Sequence, residues 1–256
     1  KTDSEGNEEW TRTFGGDYTD VGREIIQTED FGYIIMGYTS SFGSGGYDTW
    51  LIKTDSVGNE EWSNTFGGFE SDQGFSFEKT SDEGYVITGN TKSYEDNINY
   101  DVSLIKTDSN GNQEWFNSYN GIDGTSWDIG HSVKQTSDGG FIISGTTTSN
   151  GGGLWLIKTN SIGNIEWDII LEEGICHYET SSILLIPDDK YMILCGEGYL
   201  LITNSIGEVE LIDNLPNIYP YHLDYTSDGS YISIGSTSLS WTGSISVIKF
   251  NLLDCP

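Results

Sequence analysis

Apolar residues in this chain fall in short runs separated by polar, glycine-rich interruptions. One stretch shows the scheme: REIIQT from Arg23, the interruption EDFG, YIIMGYT from Tyr33, a longer polar segment, TWLIKT from Thr49, the interruption DSVGNE, then EWSNTF from Glu61. Runs of about 5–7 residues rich in Ile, Val, Thr and Tyr, bounded by Gly, Asn and Asp, predict β-strands joined by tight turns. We call the four strands of such a unit A, B, C and D.

The unit repeats. KTDSEGNEEW from Lys1, KTDSVGNEEW from Lys53, KTDSNGNQEW from Lys106 and KTNSIGNIEW from Lys158 are followed by a worn copy, ITNSIGEVEL from Ile202. Their anchors Trp10, Trp62, Trp115, Trp167 and Leu211 lie 52, 53, 52 and 44 residues apart. A second module alternates with the first: QTEDFGYIIMGYT from Gln27, KTSDEGYVITGNT from Lys79, QTSDGGFIISGTT from Gln135, IPDDKYMILCGEG from Ile186 and YTSDGSYISIGST from Tyr225. Four antiparallel strands at this period predict an all-β chain in which each repeat is one blade of a five-bladed β-propeller. The strand count predicts closure as well. Glu8–Phe14 is a D strand without its own repeat, and the last C strand, Ser244–Phe250, has no D strand after it. The expectation is a single domain over 1–256, with residues 1–14 completing the blade formed by about 221–250. The rival expectation is that Lys1 is a cut within a longer repeat array.

Composition sharpens this picture. The chain of 256 residues contains no alanine, which argues against a helix-rich fold. Its 11 Lys+Arg against 40 Asp+Glu give a formal net charge of −29, leaving no basic stripe for nucleic acid or an anionic membrane surface. No apolar run approaches the roughly 20 residues that span a bilayer. The cysteines are Cys176, Cys195 and Cys255, with no CxxC zinc-ribbon spacing. Cys176 and Cys195 could pair as a disulfide or remain two buried thiols.

The pattern W-x₃-[FY]-x-G, a D-x-G start to strand A, T-x-D-x-G-[FY], and LIKTDSxGN resembles the SBBP-type β-propeller repeats of secreted and surface bacterial and archaeal proteins. The unit KTDSVGNEEW also resembles the tryptophan-docking motif of quinoprotein-type propellers. The resemblance covers most of the chain and is weakest in the fourth repeat. It implies a propeller in an extracellular or cell-surface setting, and it implies no reaction.

Candidate chemistry falls into four groups. The docking tryptophans Trp10, Trp62, Trp115 and Trp167 read as structural rings packed between neighbouring repeats. The turn aspartates Asp30, Asp82, Asp138, Asp189 and Asp228 read as turn formers, because these turns are too short to gather a calcium shell. The acids before strand A, namely Asp20, Asp72, Asp128 and Glu179, are either loop caps or a ring of carboxylates that attracts a cation, calcium being the candidate. The loops joining D to A and B to C carry aromatics, among them Tyr18, Phe69, Trp127, Tyr178, Phe42, Tyr47 and Trp241. Aromatic faces beside Asp and Asn suit a carbohydrate. The histidines His131, His177 and His222 have no spacing that demands a zinc site. There is no GxSxG, HExxH or phosphate loop.

The leading expectation is a non-catalytic extracellular binding or interaction module. Its ligand site would use Tyr18, Asp20, Asp72, Trp127, Asp128, Tyr178, Glu179 and Trp241, and its partner would be a glycan or a surface protein. Two alternatives remain: a glycan-active five-bladed enzyme or lectin, and a structural protomer of a surface assembly.

Overall fold

The structure is a computed structural model and describes residues 1–93, 99–121, 126–171, 181–215, 219–237 and 244–251. Nineteen strands are described, with a single 3₁₀ turn at Ser149–Gly151. The chain divides into two compact units, Lys1–Ser118 and Tyr119–Pro256.

The first unit holds two antiparallel sheets. One is ordered β1 (Asp20–Gln27), β2 (Tyr33–Thr39), β3 (Asp48–Thr54) and β4 (Glu60–Phe66). The other runs β5 (Asp72–Lys79), β6 (Tyr85–Thr91), β7 (Asp101–Thr107) and β8 (Gln113–Tyr119), whose final residue belongs to the second unit. The second unit holds three more sheets. They are β9 (Asp128–Gln135), β10 (Phe141–Thr147), β11 (Gly153–Thr159) and β12 (Ile165–Leu171); then β13 (Ser181–Ile186), β14 (Lys190–Cys195), β15 (Tyr199–Thr203) and β16 (Val209–Asn214); and last β17 (Tyr219–Tyr225), β18 (Tyr231–Ser236) and β19 (Ile245–Phe250). Each sheet keeps the chain order A-B-C-D, or A-B-C in the last. The fold class is the all-β five-bladed β-propeller.

The middle strands are buried on both faces. Every residue of β3, β6, β7, β10 and β11 is buried. An antiparallel strand with one wet face alternates polar and apolar residues; these do not, because both of their faces are covered. In the first unit Ile34, Met36 and Leu51 of the first sheet pack with Phe77, Tyr85, Ile87 and Ile105 of the second. In the second unit Ile142, Leu154 and Leu156 pack with Ile183, Ile193 and Leu201, while Leu184, Leu194 and Leu200 pack with Leu223, Tyr231 and Phe250. Each such side chain is worth about 1.5–3 kcal/mol of burial. Gly74 explains the D-x-G motif at the start of strand A. A Cβ there would stand 2.7 Å from Thr49 and 2.9 Å from the Met36 sulfur, so glycine lets strand A lie down on the preceding sheet.

The fourth strand expected for the last sheet is not formed. That sheet has three strands among the described residues, and Glu8–Phe14 makes no strand. The hydrogen bonds of this segment go to the start of the chain instead. Thr2 bridges Glu8, and the Lys1 amino group donates to the Trp10 carbonyl. Trp10 nevertheless docks as expected. Its ring fills the space over Gly58, where a Cβ would lie 2.7 Å from it. Trp62 does the same over Gly111 and Trp167 over Gly207, each glycine having φ between 75° and 83°. The docked rings are half-buried rather than fully enclosed.

Candidate functional site

The turn aspartates belong to a repeated ion network. Lys53 of β3, with its side chain almost wholly buried, points its Nζ at Asp30 (2.8 Å), Glu61 (2.8 Å) and the Thr54 carbonyl (2.8 Å). Lys106 meets Asp82, Glu114 and the Thr107 carbonyl; Lys158 meets Asp138, Glu166 and the Thr159 carbonyl. Three partners for three N–H donors is what a buried ammonium requires. The sequence arranges this locally. The Thr28 hydroxyl and the Gly32 N–H donate to Asp30, and Gly32 has no room for a Cβ beside Lys53. Strand D contributes by a β-bulge: pairing slips between Lys53 and Thr54, and Glu61 is the extra residue turned back onto the lysine. Burial opposes ionisation of Asp82 and Asp138 and is the largest single influence on each. Thr80 and Lys106, or Lys158 and Thr136, together with a backbone N–H, outweigh it and hold both acids down at about 2. These aspartates are therefore committed to lysine.

The acids before strand A are committed as well. Asp20 accepts from the Thr39 hydroxyl, from Ser41 Oγ (2.9 Å) and from the Gly16 N–H (2.8 Å). Asp72 is buried and accepts from the Thr91 hydroxyl, Ser93 Oγ (2.6 Å) and the Gly68 N–H (2.8 Å). Asp128 is buried and accepts from Ser126 Oγ (2.8 Å) and the Gly121 N–H (2.7 Å). In the geometry of the loops all three act as caps, each tying a D–A loop to its own strand ends. Asp48 is buried like Asp72 and Asp128, and its sequence did not mark it. It stands beside Asp72 across Gly67, where a Cβ would come within 2.2 Å of Asp48 Oδ1 and 2.8 Å of Asp72 Oδ2. Burial above all pushes the Asp48 carboxyl up to about 6; the Ser44 N–H works against this and the Asp72 carboxylate adds to it. Its place at the head of strand C, shared by Asp101, was the available clue. Among the described residues no three His, Cys, Asp or Glu side chains converge on a metal position.

The aromatics divide. Phe42 packs on Trp50 at 5.3 Å and Tyr47 on Tyr38 at 5.3 Å, while Arg23 stacks over Tyr38 and Phe75 at 5.3 and 5.0 Å. These rings serve their own loops. Tyr18 and Phe69 are exposed. Trp127 is different. It is 55 % exposed and stands over a cavity of about 290 Å³ lined by Ile129 and Thr146–Thr148. Its backbone is fixed on both sides: the Trp127 N–H donates to Thr148 Oγ1 (2.7 Å), and its carbonyl accepts from the Thr148 N–H (3.1 Å). His131 Nε2 lies 3.1 Å from Thr146 Oγ1. His131 itself is the bulged residue of strand A, because pairing skips from Ser132 to Gly130. A large aromatic face thus stands beside threonines at the end of strand B, on a backbone fixed by Thr148. Tyr178, Glu179, Trp241, Cys176, His177 and Cys255 lie outside the described residues. Cys195 is buried and disulfide-bonded, its partner lying outside the described residues.

No family model and no curated protein matches the chain. Solved structures do. A protein of unknown function from Dyadobacter fermentans is 10% identical with a TM-score of 0.59, covering 88% of this chain and 74% of its own. One from Bacteroides caccae is 10% identical with a TM-score of 0.54, covering 87% and 74%. At that identity the likeness is one of fold. An endo-arabinase from Bacteroides thetaiotaomicron is 10% identical with a TM-score of 0.49, covering 91% and 94%; we take no argument from it.

Proposed function

We propose that this chain is a non-catalytic binding module of a secreted or surface protein, and that it takes a small polar ligand, a glycan in the first instance, at Trp127. The observation that carries the reading is the exposed Trp127 ring over a cavity lined by Ile129 and Thr146–Thr148. Sugars offer an apolar ring face for stacking and hydroxyls for hydrogen bonds, and a cavity of this make-up serves both. Scaffold duty elsewhere supports the assignment. The repeated aspartates are bound to lysines or to loop ends.

The test is a glycan array with and without calcium, followed by calorimetry on Trp127→Ala and Trp127→Phe. The expected result is binding by the parent chain, at least a tenfold loss for Trp127→Ala, and partial retention for Trp127→Phe. Thermal stability should move little, because the ring is largely exposed. A glycan that binds the parent and Trp127→Ala equally would refute the site.

A further inference from the structure

Strand A starts D-V-G-R in the first sheet, D-Q-G-F in the second and D-I-G-H in the third. The aspartate and the glycine stay, and the fourth residue changes. In each sheet that residue is a bulge. Pairing with strand B passes from Gly22 to Glu24, from Gly74 to Ser76 and from Gly130 to Ser132, leaving out Arg23, Phe75 and His131. A bulge takes a side chain out of the alternation of its sheet and re-aims it. The strand-B residue at the same level is Tyr38, Asn90 or Thr146, paired with Val21, Gln73 and Ile129. In the third sheet the two positions touch, His131 to Thr146, and Thr146 lines the cavity at Trp127. A position that varies on an otherwise repeated frame is one where recognition can reside without disturbing the fold.

In the first sheet the pair is Arg23 and Tyr38. The guanidinium lies 5.3 Å from the centre of the Tyr38 ring and 5.0 Å from that of Phe75, which reaches it from the second sheet. One N–H donates to the Tyr38 hydroxyl at 3.3 Å. Tyr38 is braced edge-on in turn by Tyr47 at 5.3 Å and by Phe75 at 6.2 Å. Arg23 is exposed nonetheless, and its other N–H donors meet no acceptor among the described residues. The acids on either side are engaged elsewhere. Asp20 ties its loop through Thr39, Ser41 and Gly16, and Glu24 accepts from the Phe77 N–H at 2.9 Å. Seven lysines hold carboxylates among the described residues. In a chain with 40 acids for 11 basic residues, a firmly seated arginine that takes no carboxylate is the exception.

We infer that Arg23 anchors a second binding site, which takes the carboxylate of a small organic monoanion such as a uronic acid. The ligand class follows from the guanidinium. Its paired N–H groups match the two oxygens of a carboxylate, and the rings that hold its plane reduce the motion lost on binding. The Tyr38 hydroxyl accepts from Arg23 and has its own proton to offer the ligand. A net charge of −29 adds repulsion for every further negative charge, which disfavours sulfate and phosphate dianions against a monoanion. The site lies wholly within the first unit and does not depend on what Trp127 binds.

Titration of the full chain with sodium glucuronate, glucose and sodium sulfate at constant low ionic strength tests this, with NMR following the Arg23 Nε–Hε and Tyr38 ring signals. Glucuronate is expected to move both saturably, whereas glucose and sulfate are not. Arg23→Gln should abolish the Tyr38 response. Arg23→Lys keeps the charge without the fork and should weaken the response about tenfold or more. Trp127→Ala should leave it unchanged, which separates this site from the glycan site proposed above. Both Arg23 variants alter an exposed residue, and their amide spectra should show the parent fold. The absence of a saturable shift with glucuronate overturns the proposal. So does a Tyr38 response that survives Arg23→Gln, that sulfate produces as strongly as glucuronate, or that is lost in Trp127→Ala.

Discussion

The third and fourth sheets solve one problem in two ways. Both must hold the turn between strands A and B against the end of strand C. The third sheet does it with charge: buried Lys158 joins Asp138, Glu166 and the Thr159 carbonyl. The fourth places Ile202 where the lysine would be, packed with Ile186, Met192 and Leu184, and leaves Lys190–Glu210 as a pair nearer the surface. The bulge in strand D persists in both, between Lys158 and Thr159 and between Ile202 and Thr203. Backbone geometry is thus independent of the chemistry at the pin. What the lysine adds is a specified position for the turn aspartate. Where the lysine goes, the T-x-D-x-G turn goes with it, and the fourth repeat has I-P-D-D-K instead.

The largest effect expected from breaking this comparison is Lys158→Ala. It removes the cation that Asp138 and Glu166 share, empties a buried slot, and should cost about 2–5 kcal/mol in chemical denaturation. The triple change Lys158→Ile, Asp138→Asn and Glu166→Gln rebuilds the fourth-sheet solution and should recover most of that loss. A triple variant no more stable than Lys158→Ala would show that the charge network itself, and not the filling of the slot, holds the sheet.

Trp167 links the two sheets, since its ring lies on Gly207 and its Nε1 donates to the Ser205 carbonyl at 3.0 Å. Trp167→Ala should cost about 2–3 kcal/mol, less than a fully enclosed ring would, measured by the same denaturation. Gly207→Ala should cost a comparable amount, because a Cβ would meet the indole at 2.9 Å and the backbone φ is 83°.

Acid separates the sheets in a third way. Asp138 titrates at about 2 in the folded chain, below its ordinary value, so the stability it contributes is present above about pH 4 and is lost as pH falls toward 2. Amide exchange at the Thr136–Gly140 turn should therefore accelerate between pH 4 and 2, relative to its intrinsic rate. Exchange in β14 and β15, where no such pin exists, should hold. Equal loss in both would remove the lysine pin as the cause.

The smallest effect concerns the turns themselves. The fourth-sheet turn puts Asp188 and Asp189 in the left-handed region, at φ 68° and 54°, whereas the third uses Gly139 there. Asp188→Gly should raise thermal stability by the equivalent of about 1 kcal/mol. A loss would mean that the Asp188 side chain holds the turn.

The architecture was legible because a repeat states its own boundaries many times over. The strands, their order and the docking of Trp10, Trp62 and Trp167 all follow from spacing alone. What spacing could not show was pairing across the turn. Asp30, Asp82 and Asp138 look like ordinary turn formers until Lys53, Lys106 and Lys158 arrive from strand C, and those lysines are buried, against the usual preference of their type. Glu8–Phe14 misled because a strand-like sequence does not name its partner; in the structure its hydrogen bonds return to Lys1 and Thr2. At the candidate site, Trp127 was legible as an aromatic in a Gly/Ser/Thr setting. The cavity beside it was not, since its threonines come from the end of β10. The roles of Asp20, Asp72 and Asp128 stood open between cap and ligand in the sequence, because both uses ask for a carboxylate in a loop.

The docking of Trp10, Trp62 and Trp167 on glycines of the following repeat has a consequence for how such a chain can grow or shrink by recombination. Trp10 belongs to one sequence repeat and Gly58 to the next, as do Trp62 and Gly111, or Trp167 and Gly207. The heritable module is therefore offset from the structural one. A duplication or deletion leaves every ring seated only if it spans a whole period, wherever its endpoints fall, because each crossover then joins a tryptophan to an equivalent glycine. Events of any other length strand a ring over a turn that has a side chain in its place. The seam acts as a reading frame for repeats: it lets copy number drift while punishing changes in phase, and the shorter step between Trp167 and Leu211 marks the one repeat where that frame has begun to relax.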